Sequence, residues 1–301
     1  MSKLVSIVIP CYNSINFVEE AIASAFAQTY RPIEVIVVDD GSTDGSYDYL
    51  LRLQKEKYPE LQVYCHPERV NLGVSTTRFK GVLESAGEYI AFLDADDQFV
   101  PDKILRQAAM LDEYPAAILC HTSATVIGDT SDAQTYEQGF ATHPPGLYHY
   151  RKRKDLLQRN GICNSSTLIH KFYLQKVNFA IPQLFQYEDF LCWILLSGHG
   201  KFAYLDEPMT LYRVHPNSAT ASVNKNWLRH YYSSLEMKLA LAVKSNSIFL
   251  SFRCLISSCI TVIVLLFKYS EAESPCFISK DNLPKKLLHG LRRIAKFLKL
   301  T

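Results

Sequence analysis

The sequence of 301 residues holds no glycine-rich G-x-G-x-x-G and no G-x-x-x-x-G-K-[ST], so the dinucleotide-fold and P-loop readings lose their main support. It has no C-x-x-C pair. Its eight cysteines are scattered, most of them in apolar context, which excludes a zinc-ribbon pattern and argues against a disulfide frame. Buried, reduced thiols in a cytoplasmic protein are the expectation. Neither sign of charge dominates: 32 Lys and Arg face 30 Asp and Glu, for a net charge of +2, so bulk charge calls for no nucleic-acid partner. Met-Ser-Lys leads at once into a strand-like run, with no signal-peptide core. The most apolar stretch, Ile248–Phe267, is interrupted by Arg253 and carries Ser and Thr. Its unbroken part falls short of the ~20 residues that span a bilayer. What remains is an ordinary globular composition, 48% hydrophobic and 21% charged.

Against these absences, the first hundred residues are strongly patterned. Leu4–Pro10 (LVSIVIP), Ile33–Val38 (IEVIVV), Leu61–Cys65 and Tyr89–Leu93 (YIAFL) are short apolar runs that read as buried strands. Between them lie helical patterns over Ile15–Gln28, from Ser42, Thr43 or Asp44 to Lys57, and over Val74–Ser85. Asn13 or Ser14 is the expected cap of the first helix. Strand–helix alternation without hairpin signals predicts a mainly parallel sheet with helices on both faces. In such sheets ligands bind beyond the carboxyl ends of the strands. Three strands deliver their unusual residues to that rim: Pro10 and Tyr12, Asp39 and Asp40, Asp94 to Asp97. An isolated Asp-rich turn is equally well a solvated loop. Two acidic turns on one rim beside an aromatic point instead to a nucleotide and a divalent cation, with Arg78 placed to neutralise phosphate.

The runs Val5-Ser6-Ile7-Val8-Ile9-Pro10-x-Tyr12-Asn13, Glu34–Ser42-x-Asp44, Asn71-x-Gly73 and Leu93-Asp94-Ala95-Asp96-Asp97 resemble family 2 glycosyltransferases of the GT-A fold. The resemblance implies a Rossmann-like, mainly parallel α/β sheet flanked by helices, and an inverting transferase that takes its sugar from a nucleotide-sugar, most often a UDP-sugar, with Mn2+ or Mg2+. Carried over, Pro10 and Tyr12 line the base pocket, Asp40 contacts the base and Arg78 the nucleotide. Asp94-Ala95-Asp96 is the family's DxD, with Asp94 on the ribose and metal side and Asp96 on the metal. Asp39 is either an outer partner or structural. Asp97 is either a helix cap or a catalytic group.

Further on, a helix is expected to about Tyr114, a strand over Ala116–Thr122, and loop-like chain over 123–150, either a binding lid or a surface insertion. His143 and His149 in that loop are given no role. Arg151–Asp155 reads as a solvated basic helix start. Glu188-Asp189 opens an apolar helix, where acidic residues are commonplace because the helix dipole favours them. The resemblance turns this pair into the catalytic one, Asp189 as general base and Glu188 as its support or an acceptor contact. Phe202–Leu205 is a strand and Asp206-Glu207-Pro208 a turn. A lone His after a strand is usually structural. The resemblance brings His215 to the metal or diphosphate, while Arg213 is a phosphate contact or an ion-pair partner.

The expected organisation is 1-115 as a nucleotide-sugar half, 116-222 as the acceptor and base half of the same domain, and 223-301 as a helical extension. In the last segment Leu287, Leu288, Leu291, Ile294, Ala295 and Leu298 share one helix face, and Lys285, Lys286, Arg292, Arg293, Lys296 and Lys299 occupy much of the rest. That helix suits peripheral contact with an anionic membrane, placing the protein on the inner face of the cytoplasmic membrane, or it packs on its own domain. The function implied is glycosyl transfer to a saccharide or lipid-linked acceptor in capsule, O-antigen or lipopolysaccharide synthesis. A nucleotide-sugar hydrolase and a Mg2+-binding receiver-like signalling module are the alternatives.

Overall fold

The computed structural model describes residues 2–128, 145–150, 160–180, 188–216 and 218. His143, the basic cluster 151–155 and the extension 223–301 with its basic helix lie outside the described residues. The first compact unit is Met1–Ser218.

Strand β1 (Val5–Cys11) is buried along its whole length. It pairs in parallel with β2 (Ile33–Asp39), and β2 pairs in parallel with β3 (Gln62–Cys65). β4 (Tyr89–Phe92) flanks β1 on its other side, also parallel. Alternation along these strands sorts their side chains. Ile7, Ile9, Val35 and Val37 join a core with Val18 and Ile22 of α1 (Val18–Phe26) and Leu50 of α2 (Ser46–Glu56). Val8 and Val38 face α3 (Val74–Glu84) on the opposite side. A Cβ on Gly81 of α3 would sit 2.3 Å from Val8 Cγ1, so the helix backbone approaches the sheet as closely as only glycine permits. Gly81→Ala is expected to cost about 1–3 kcal/mol through overpacking, read as a lower urea midpoint at unchanged slope.

The second half of the sheet mixes directions. After the short β5 (Gln98–Phe99) and helix α4 (Lys103–Glu113), β6 (Ala117–Gly128) runs parallel to β9 (Lys201–Val214). β8 (Thr167–His170) sits between β4 and β6, antiparallel to both. β5 and β7 (Gly146–Tyr148) add antiparallel pieces to β9. The order is β3-β2-β1-β4-β8-β6-β9-β5. α5 (Lys171–Val177) follows β8, and α6 (Glu188–Leu196) precedes β9.

Three local expectations are corrected. The strand expected to end at Thr122 continues to Gly128, because Ala124 and Val126 are buried and the segment pairs with Thr210–Val214 of β9. Asp206-Glu207-Pro208 makes no turn. It lies inside β9 at a bulge, where the register jumps from Thr122 opposite Leu205 to Ser123 opposite Pro208. A proline has no N–H for the ladder and is tolerated at such a point. Neither Asn13 nor Ser14 caps α1. Asn13 ties two loops together instead, its Oδ1 accepting from Thr43 N at 2.8 Å. Asp44 does both jobs: Oδ2 accepts from Ile15 N at 3.2 Å, and Oδ1 accepts from Ser46 N, the first N–H of α2, at 2.9 Å.

Candidate active site

β2, β1 and β4 are neighbours, so their carboxyl ends bring Asp39, Cys11 and Leu93 to one rim, with the following residues just above it. Pro10 is buried in β1 and Tyr12 stands 49% exposed beside it, an aromatic face open to solvent. The two aspartates after β2 divide their work differently from the expectation. Asp40 is buried, and its carboxylate accepts from Leu72 N at 2.7 Å and Gly73 N at 3.0 Å, so both oxygens hold the Asn71-Leu72-Gly73 turn. Burial pushes its pKa up, with the backbone N–H bonds opposing. Asp39 uses only Oδ1, accepting from Gly41 N and Ser42 N, both at 3.0 Å. Its Oδ2 is a buried acceptor without a partner. Of the pair, Asp39 therefore carries the spare hydrogen-bonding capacity.

Arg78 of α3 is buried and does not stand on an open rim. Its Nη2 donates to Asp94 Oδ1 and its Nη1 to Glu188 Oε1, both at 2.6 Å. The guanidinium fork thus joins the turn after β4 to the start of α6, which are far apart in sequence. Asp94 also accepts from Asn164 Nδ2 at 3.3 Å, and its N–H donates to Ser165 Oγ at 3.0 Å. Burial raises its pKa, with Arg78 pulling the other way.

Asp96 turns to a different partner, Oδ2 lying 3.1 Å from His215 Nε2. The His215 ring packs on Phe17 with centroids 4.7 Å apart. Arg213 holds the same turn: Nε donates to the Asp96 carbonyl at 2.8 Å, and Nη2 pairs with Glu20 at 2.5 Å. Of its two expected roles, this is the ion-pair one. Asp97 is buried and caps no helix. It accepts from Ser165 Oγ at 2.6 Å and Arg213 N at 2.9 Å, and burial beside Asp96 and Asp94 drives its pKa well up. Asp97 is a strut between β9 and the 3-10 turn Asn164–Ser166. His149, given no role, lies exposed after β7.

Asp189, in the first turn of α6, accepts from Asn160 Nδ2 at 2.8 Å and from the adjacent Phe190 N at 2.6 Å. Burial raises its pKa to about 7, helped by Glu188 and opposed by Arg78 and Asn160. A carboxylate that titrates near neutrality is matched to taking a proton. Asp94, Arg78, Glu188 and Asp189 thus form one contiguous arrangement, while Asp96 and His215 form a second beside it.

Asp96 and His215 offer an oxygen and a nitrogen to a hard cation, whereas Asp94 Oδ1 is spent on Arg78 and Asn164. Among the described residues no group of three or more His, Cys, Asp or Glu is arranged as a metal site. A two-ligand donor set nevertheless fits Mg2+ or Mn2+, which are commonly held by one or two side chains with substrate phosphates completing the shell. Asn160 is a site residue that the sequence did not single out. Asn164 and Ser165 stand in the run 161–167 leading into β8, which the family resemblance brings toward the acceptor without a role for any one residue.

A half-parallel α/β sheet in this strand order, with a carboxylate-rich rim after β2 and β4, has the architecture of the GT-A fold. The chain belongs to glycosyl transferase family 2, whose family model matches residues 6–177. It is 27% identical over 229 residues to the Bacillus subtilis putative teichuronic acid biosynthesis glycosyltransferase TuaG, covering 74% of this chain and 86% of that one. It is also 27% identical over 228 residues to Escherichia coli WfaP, named as a UDP-Glc:alpha-D-GlcNAc-diphosphoundecaprenol beta-1,3-glucosyltransferase, covering 75% and 84%. A Rickettsia conorii glycosyltransferase is 30% identical over 210 residues, 70% of this chain but 33% of its own length, so this chain matches about a third of that relative. In fold it is similar to S. aureus TarS solved with UDP-GlcNAc, at a TM-score of 0.67 and 16% identity over 97% of this chain and 80% of that one. The Pyrobaculum calidifontis mannosyltransferase PcManGT, solved with GDP-Man and Mn2+, aligns at 0.57 and 18% identity over 98% and 81%. Among the described residues no helix is long and apolar enough to cross a membrane.

Proposed function

We propose that this chain is an inverting glycosyltransferase that moves a sugar from a UDP-sugar to a saccharide or lipid-linked acceptor in cell-envelope glycan synthesis. The observation that carries the reading is Asp189, a carboxylate with a pKa raised to about 7, tied through Glu188 and Arg78 to the nucleotide-side acid Asp94. The donor's base lies against Pro10 and Tyr12, and the unpartnered Asp39 Oδ2 accepts a base N–H. That assignment passes to Asp39 the contact first expected of Asp40, whose oxygens are occupied. Asp94 faces the ribose. Arg78 serves the nucleotide indirectly, by holding Asp94 and Glu188 in place.

Asp189 accepts the proton of the acceptor hydroxyl as that oxygen attacks the anomeric carbon opposite the departing diphosphate, and one displacement inverts the centre. Glu188 keeps Arg78 against the base and raises the proton affinity of Asp189. Asp96 and His215 are the residues that would hold Mn2+ or Mg2+, and a cation there would supply positive charge to offset that growing on the diphosphate. The names of TuaG and WfaP support the envelope setting, and the UDP-GlcNAc of TarS supports a UDP-sugar donor. A cytoplasmic protein resting on the inner face of the membrane fits a lipid-linked acceptor.

The test is calorimetric binding of UDP-sugars with Mn2+, followed by nucleotide release with and without acceptor extracts. No UDP-sugar binding sinks the reading, and release that is equally fast without acceptor replaces it with hydrolysis. Asp96→Ala is expected to weaken Mn2+-dependent UDP binding by no less than the roughly 10–100-fold that outer partners of a metal cost. Binding in the presence of EDTA should be unchanged by that substitution. Equal affinities for the two proteins in Mn2+ would remove Asp96 from the metal.

A further inference from the structure

Asp189 is held from two sides. Oδ1 accepts from Phe190 N of its own helix, and Oδ2 accepts from Asn160 Nδ2 at 2.8 Å, across to a different segment. The Asn160 amide has a defined orientation, because its Oδ1 faces Ile162 N at 3.4 Å and leaves the NH2 toward Asp189. The segment that carries Asn160 is itself well anchored a few residues on. Ser166 Oγ donates to the Cys163 carbonyl at 2.7 Å and Thr167 Oγ1 to that of Asn164 at 2.8 Å. From α4, Gln107 Nε2 donates to the Ser166 carbonyl at 2.8 Å, and the buried Lys103 Nζ to that of Thr167 at 3.2 Å. The same segment grips the donor side, with Asn164 on the Asp94 carboxylate and Ser165 on its N–H. Asn160 and Asn164 therefore reference two acids of opposite duty to one rigid piece of chain, and Arg78 closes the ring from the other side.

We infer that Asn160 is a positioning residue for the base: its side-chain N–H aims Asp189 Oδ2 and stabilises the charged carboxylate, keeping the base registered to the donor-side acid through the Asn160–Ser166 segment. The inference rests on the glycosyltransferase reading above. An amide N–H donated to a carboxylate favours its ionised form. The other charged or titratable groups that face Asp189 among the described residues are Glu188 beside it, Arg78 on α3, and the Cys163 and Cys192 thiols, both buried with their pKa values pushed well up. Arg78 and Glu188 are charged and a thiol is only a weak S–H donor, so none of these replaces Asn160 as a strong neutral donor.

The full chain is labelled for carboxyl carbon NMR, and Asp189 is assigned as the signal lost in Asp189→Asn. Removing one charge-assisted hydrogen bond in Asn160→Ala should move the Asp189 titration up by about one unit. Asn160→Asp keeps the shape, replaces the donor with a like charge, and should move it further. The acid limb of the kcat/KM profile for UDP-sugar turnover should follow in each variant. kcat of Asn160→Ala should fall about 10–100-fold, as for a misaimed catalytic group. UDP affinity should stay at the wild-type value, which also shows that each variant folds. A wild-type protein that turns over no nucleotide-sugar refutes the glycosyltransferase reading and the inference with it. An active wild type whose Asp189 titration and pH profile are unmoved in both variants refutes the inference alone.

Discussion

Asp189→Asn is expected to lower kcat by about 10²–10⁴-fold, the usual contribution of a general base, while UDP binding stays unchanged. The amide keeps the shape and can still accept from Asn160, but it cannot take the acceptor proton. In the wild type the acid limb of kcat/KM should fall near the raised pKa of about 7. Activity is present above that pH and lost as pH falls through it, because the working form is the deprotonated one. Stability runs the other way. Folded Asp189 binds its proton more tightly than the unfolded chain does, so its contribution is full below the ordinary carboxylate pKa of 3.8 and is lost as pH rises through about 7. Asp189→Asn should therefore raise the Tm relative to wild type above neutrality, with the gap closing toward acid pH. Normal turnover in Asp189→Asn would move the base elsewhere.

Arg78→Met is expected to be the most destabilising single change in the site. Arg78 is buried, and its two salt-bridge partners, Asp94 and Glu188, are 28% and 12% exposed at the side chain. Removing the cation leaves two poorly solvated carboxylates near each other without their shared partner, and breaking a buried pair in this way costs about 3–5 kcal/mol. Urea unfolding should report a loss of that size. Turnover should fall with it even where the protein remains folded, because Asp94 and Glu188 lose their common anchor. Arg78→Lys should recover little, since one ammonium on a flexible stem does not reproduce a fork that spans two acids. A stability change below about 1 kcal/mol in Arg78→Met would mean that water or movement compensates both carboxylates.

Much of the site was legible because parallel α/β architecture makes strand ends converge. Short β-branched runs alternating with helical patterns are enough to place Pro10, Tyr12, Asp39, Asp40, Asp94 and Asp96 on one rim. The division of labour between Asp39 and Asp40 was not legible. Adjacent residues of one type differ only in which oxygens the fold consumes, and the Leu72 and Gly73 N–H groups that consume Asp40's come from another loop. Asp206-Glu207-Pro208 misled for a related reason: local turn chemistry was outvoted by the pairing of β9 with β6, which absorbs the extra residues as a bulge.

By itself, the sequence determined the class of sheet, the rim, the acidic turns and the family, because near-continuous apolar runs buried on both faces and the residues at their ends are written locally. Only the tertiary structure decided that Arg78 bridges Asp94 to Glu188, that Asp97 is a strut, and that Asn160 reaches Asp189. Each of these is a hydrogen bond between segments remote in sequence, and the environment that sets the pKa of Asp189 is assembled from several of them: burial and Glu188 raise it, while Arg78 of α3 and Asn160 pull it down. Charge and spacing along a chain carry no record of such burial, which exists only once those pieces have packed.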